Sequence, residues 1–94
     1  MKSDFENELA KVFGVFVLKE AYDRVANGRH YVPVWQVRRA CRMTRHGFDT
    51  ILTMLLIDGL VTGHQDHGDG SMTDDQRRDC LHDGDWHFYT ITWK

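Results

Sequence analysis

Between Pro33 and Val61 the chain reads VWQVRRACRMTRHGFDTILTMLLIDGLV, two apolar stripes of helical period separated by a short break. Val34, Val37 and Cys41 recur at i, i+3 and i+7, the spacing of one helical face. Pro33 precedes them, where its fixed φ and missing N–H suit a helix start. Phe48, Leu52 and Leu55 recur at i, i+4 and i+7, with Ile51 widening the stripe. Met43 and Thr44 form the break, and the Thr44 hydroxyl is placed to cap a second helix over residues 45–58. Gly59 ends that helix, because glycine accepts a left-handed C′ conformation at little steric cost. Neither stripe is long enough to stand alone, so the flanking segments must complete the core.

Those segments have clear periods of their own. Ser3-Asp4-Phe5-Glu6 has the form of a capping box. Phe5, Leu9, Val12, Phe13 and Phe16 follow at helical spacing, Tyr22 and Val25 continue the stripe, and Asn27-Gly28 is a stop signal. The pattern predicts one helix from about Asp4 to Ala26. Between Val12 and Leu18 it is apolar nearly all round, as expected of a helix in the core or against a partner. A short strand is expected around Tyr31-Val32 and another over Leu60–His64. The run Trp86–Trp93, WHFYTITW, is the strongest strand signal in the chain, with His87, Tyr89, Ile91 and Trp93 alternating onto one face. The Tyr89, Ile91 and Trp93 face is expected to cover the helices.

The loop between the last two strands is long for a hairpin. Inside it Thr73-Asp74-Asp75-Gln76 resembles a capping box, with acids in the first turn and Arg77 and Arg78 toward the other end. That charge order suits a helix dipole, so one or two helical turns are expected from about Asp74 to Cys80.

Ninety-four residues with a 41% hydrophobic fraction make one domain, residues 1–94, with one core. No apolar run is long enough to span a membrane, and the polar, acidic start has no signal-peptide character. A cytoplasmic protein is expected. The net charge of −2 hides a split. Residues 58–87 hold eight Asp against Arg77 and Arg78, a balance of −6, while the remainder holds ten Lys or Arg against six acids, a balance of +4. A basic helical body carries an acidic appendage.

The order helix, short strand, helix, turn, helix, strand, loop, strand resembles the winged helix-turn-helix superfamily. FDTILTMLLIDGLV carries the resemblance as a recognition-helix core running into a first wing strand, and WHFYTITW as the returning strand. The resemblance implies an α+β fold with three main helices and a small antiparallel wing sheet. It also implies a DNA-binding module, such as a small transcriptional regulator or the DNA-contacting part of a larger complex, with helix 45–58 as recognition helix. The chain departs from the pattern in its wing, which is long and acidic instead of short and often basic. An alternative is therefore a protein-interaction module that keeps the winged-helix frame without binding nucleic acid.

The residues suited to DNA lie on and around the two central helices. Trp35, Arg38, Arg39 and Arg42 share the face opposite Val34, Val37 and Cys41, and Arg45 and His46 open the next helix. Arginine makes bidentate contacts with phosphate and with guanine. Arg38, Arg39, Arg42 and Arg45 are expected on the backbone. His46, Thr50 and Thr53 are expected toward base edges, with Asp49 as an acceptor for cytosine N4–H. The bland reading is a solvated charged face.

Other chemistry has less support. His64, His67, Cys80 and His82 supply imidazole and thiolate at loop-permitted spacings for zinc, yet without a paired CxxC framework, and no cofactor is expected. No Ser–His–Asp order, nucleophile elbow or phosphate-cradling glycine loop occurs, so an enzyme is not expected. Cys41 reads as a small core residue. The apolar surplus of helix 4–26 fits a homodimer seam, and equally a helix buried under the sheet. The acidic wing is a candidate surface for a protein partner. Its four histidines, His64, His67, His82 and His87, add a pH handle.

Overall fold

The computed structural model describes residues 4–65, 72–84 and 86–94. The first element, α1 (Asp4–Ala26), has the bounds its periodicity predicts. Its Ser3 cap lies outside the described residues. Asn27 ends the helix at φ 46° and Gly28 follows at φ 87°, two left-handed residues that turn the chain back. Strand β1 (Val32–Pro33) leads directly into α2 (Val34–Ala40), with Pro33 at the N-cap position. After the break comes α3 (Arg45–Ile57), and the Thr44 hydroxyl accepts from the Gly47 N–H at 3.0 Å as a cap should. Gly59 then takes φ 77° and opens β2 (Val61–His64).

Beyond the undescribed residues 66–71, a five-residue helix α4 (Asp74–Arg78) is closed by a reciprocal capping box between Thr73 and Gln76. It stops two residues short of the predicted end. Three strands follow, β3 (Leu81–Asp83), β4 (Trp86–Phe88) and β5 (Thr90–Trp93). The predicted single strand 86–93 is thus two strands serving two sheets. β5 lies between β1 and β2, antiparallel to both, and β4 pairs with β3 in a separate hairpin. Tyr89 is the junction: its N–H donates to His64 O at 2.9 Å and its carbonyl accepts from Val34 N–H at 3.0 Å. The break upsets the expected alternation, since Thr90 and Ile91, adjacent in sequence, are both buried.

The core gathers Leu18, Ala21, Tyr22 and Ala26 of α1, Val34 and Val37 of α2, and Phe48, Ile51, Leu52 and Leu55 of α3 against Val32, Val61, Leu81 and Ile91 of the strands. Each large side chain among them contributes about 1.5–3 kcal/mol by leaving water. Two close approaches set the geometry. Gly14 lets α1 meet α3, where an added Cβ would stand 2.9 Å from the Ile51 side chain. The Trp93 N–H donates to the Tyr22 hydroxyl at 3.0 Å, tying the last strand to α1. Cys41 and Cys80 are both buried free thiols. The structure is α+β, with a small antiparallel sheet over the helices. Among the described residues no helix is long and apolar enough to cross a membrane.

Candidate nucleic-acid interface

The turn Cys41–Thr44 swings α3 across α2, leaving the first half of α3 with one face on the core and one in solvent. Phe48, Ile51, Leu52 and Leu55 point inward, His46 and Thr50 are exposed, and Thr53 is half-buried. Arg42, in the turn, is exposed and makes no hydrogen bond or ion pair among the described residues. Arg39 near the end of α2 and Arg45 at the start of α3 are both on the surface.

Arg38 has a different place from the one its spacing predicts. Its side chain is only 9% exposed. Its Nε donates to Asp79 O at 2.7 Å, its Nη2 forms an ion pair with Asp49 and reaches Cys80 O at 3.3 Å, and its guanidinium lies 4.4 Å from the Phe48 ring centroid. Arg38 and Asp49 are thus paired, with Asp49 still 36% exposed and Arg38 Nη1 buried without a hydrogen-bond partner among the described residues. Arg38, expected on phosphate, is instead a structural tie between α2, α3 and the segment after α4, and Asp49, expected toward cytosine, is its ion-pair partner. Burying a guanidinium demands such partners, because an uncompensated charge in a low-dielectric site is costly. Trp35 is likewise half-buried rather than on the open face, with the Arg39 guanidinium 4.9 Å from its ring centroid.

Asp79 is the residue that sequence reasoning missed. It sits at the C-terminal end of α4, where helix carbonyls carry partial negative charge. Its carboxylate accepts from Arg39 Nε at 2.9 Å and from Arg45 Nη2 at 2.6 Å, and Arg45 Nη1 also donates to Arg78 O at 3.1 Å. One acidic residue thus lies between two of the arginines, and the chain around it caps a third. The hydrogen bond from Arg39 holds the Asp79 carboxyl below its usual range, helped by that from Arg45 and opposed by partial burial. In the sequence Asp79 is one of eight appendage acids, and only the run of three charges Arg77-Arg78-Asp79 hints at a built contact.

Of the residues with metal-ligand chemistry, His64, Cys80 and His82 have partners within the chain. His64 Nε2 lies 2.9 Å from Thr92 Oγ1, whose hydroxyl donates to His30 O, so the histidine must donate there. The Cys80 thiol is buried, donates to Gln76 O at 3.3 Å, and is pushed by desolvation to a pKa of about 11. At neutral pH it is a thiol, a poor ligand and a poor nucleophile. His82 Nε2 donates to Arg77 O at 2.7 Å, which leaves its Nδ1 to accept from His87 Nδ1 at 2.7 Å. His67 lies outside the described residues. Among those described, no three His, Cys, Asp or Glu side chains gather as a metal would need.

Comparison of this chain with models of protein families, with curated proteins and with solved structures returns no match.

Proposed function

We propose that the chain is a winged helix-turn-helix module that binds duplex DNA, with α3 as the recognition helix. The element order and the β1-β5-β2 sheet support the winged-helix reading, with α1, α2 and α3 as its three helices and the β2–β5 connection as its wing. The observation that carries the DNA reading is the solvent face of the α2–α3 turn. There Arg39, Arg42 and Arg45 flank the open His46 and Thr50 of α3. In this reading the three arginines hold phosphates, and His46, Thr50 and the half-buried Thr53 reach base edges. A small transcriptional regulator, or the DNA-contacting part of a larger complex, is the role that fits such a module.

Three phosphate contacts set a quantitative expectation. The logarithm of affinity should fall with that of salt concentration at a slope of about −2.7, a loss of roughly 40-fold between about 50 and 200 mM. Fluorescence anisotropy on random-sequence duplexes measures this directly. Arg42→Ala should weaken binding and reduce the slope by about one. A specific observation favours a second reading, a protein-interaction module. Asp79 already occupies Arg39 and Arg45, which leaves Arg42, among the described residues, as the unengaged arginine of the four. Absence of duplex affinity at low salt would decide for that second reading.

A further inference from the structure

Among the described residues, one appendage acid forms ion pairs with the helical body. Within α4, Asp75 pairs with Arg78 at 3.0 Å and Asp74 approaches Arg77 at 4.0 Å, so these two acids are answered inside the helix itself. Asp79, the next residue after α4, crosses instead to α2 and α3. Each oxygen of its carboxylate takes one guanidinium: Oδ2 accepts from Arg39 Nε at 2.9 Å and Oδ1 from Arg45 Nη2 at 2.6 Å. Phosphate oxygens accept from arginine in the same way. The backbone beneath is fixed separately. Arg38 Nε donates to Asp79 O at 2.7 Å, and the Cys80 and Leu81 side chains that follow are buried. The Asp79 side chain is 22% exposed, and the arginines it bridges are 46% and 53% exposed. The carboxylate can therefore leave them by turning about its own bonds, with no unravelling of the chain.

We propose that Asp79 is an intramolecular competitor of DNA phosphate, an autoinhibitory contact that attenuates duplex binding by occupying Arg39 and Arg45. The inference rests on the DNA reading above and adds the regulation of that site. A phosphate reaching either arginine must displace a carboxylate already hydrogen-bonded to it, so part of each new contact is offset by a lost one. Surface ion pairs are weak enough to be displaced, so the contact attenuates binding and does not abolish it. Arg42 has no hydrogen bond or ion pair among the described residues, and its phosphate contact forms without such a loss. A general charge effect of the appendage would act differently. It would work through space, from any of its acids and on every cation of the face. Direct competition works through Asp79 and on the two arginines it touches.

Fluorescence anisotropy of the full chain on one duplex, at about 0.1 M salt, tests it. Asp79→Asn should tighten binding roughly threefold to tenfold. Asp58→Asn removes the same charge from the exposed C-cap of α3, about 20 Å along the helix from Arg45 and beyond the screening length of about 10 Å. It should change affinity less than about twofold. A double-mutant cycle tests the competition itself. Arg45→Ala should weaken binding at least about threefold more in the Asp79→Asn protein than in wild type, because only there is Arg45 free. Circular dichroism of each variant checks the fold, and Asp79→Ser repeats the test where the amide disturbs the end of α4. Equal affinity of wild type and Asp79→Asn overturns the inference and leaves the DNA reading standing, as does an additive cycle or an equal gain from Asp58→Asn. No duplex affinity in either protein overturns both. Binding detected only after Asp79→Asn supports both.

Discussion

Arg38 and Arg42 are four residues apart in the sequence, one in α2 and one in the turn after it, and the tertiary structure gives them opposite fates. Arg42 stands in solvent beside α3, whereas Arg38 is enclosed by Asp49, two backbone carbonyls and the Phe48 ring. Truncating a buried member of such a set strands the partners it satisfied, a cost of about 3 kcal/mol. Arg38→Ala should therefore lower the denaturation midpoint substantially, and Arg42→Ala should leave it nearly unchanged. Urea melts of the two variants check this. Equal small effects would mean that Arg38 is a surface charge and that its enclosure contributes nothing to the fold. The same contrast distinguishes the thiols from reactive groups, since burial raises both Cys41 and Cys80 above the ordinary thiol value.

At the scale of elements, the run 86–93 behaves as two strands because its two halves have different partners. β5 has β1 and β2 on either side, while β4 turns away to pair with β3. The turn is held where the Phe88 ring lies over Gly63 of β2. A Cβ built on Gly63 would stand 2.5 Å from Phe88 Cδ1 and 2.9 Å from Cγ, atoms near the base of the ring that cannot swing aside cheaply. Gly63 is thus required by close approach, in a strand where glycine otherwise weakens packing. Gly63→Ala should destabilise the domain by about 1–3 kcal/mol, the range for overpacking. Thermal unfolding followed at 222 nm measures it. A neutral or stabilising outcome would show that the ring moves freely and that β4 is not locked on β2.

Over the whole molecule, the appendage of charge −6 does not merely hang beside a body of charge +4. It is joined to that body at Asp79, where two arginines meet one carboxylate. The lowered pKa of Asp79 determines the sign of its pH linkage. Its contribution to stability is complete above the unfolded value of about 3.9 and is lost as pH falls through the lower folded value. Asp79→Asn should therefore flatten the acid limb of the stability–pH curve below about pH 4 and leave the neutral limb parallel to wild type. If the chain binds DNA as proposed, the same change releases Arg39 and Arg45 and should raise duplex affinity roughly threefold to tenfold at low salt. A clear loss of affinity with the fold intact would mean that the appendage itself takes part in binding.

What was legible in the sequence is what local periodicity and stop signals determine. The bounds of α1, the Thr44 cap, the Gly59 stop and the Thr73–Gln76 box all depend on residues a few positions apart, whereas the break expected at Met43-Thr44 begins earlier, at Cys41, because α2 ends at Ala40. A helix or cap forms from such neighbours, so one strand of text suffices to read it. The open positions of the candidate interface, Arg42, Arg45, His46 and Thr50, were legible for the same reason: they lie opposite an apolar stripe. Three matters needed the tertiary structure. The split of 86–93 depends on which strands flank each half. The withdrawal of Arg38 from the surface, and the hold of Asp79 on Arg39 and Arg45, join α2 and α3 to a segment some thirty to forty residues away. Charge spacing along a helix says which side chains share a face. Only the packing of distant segments decides whether that face meets water or an acid.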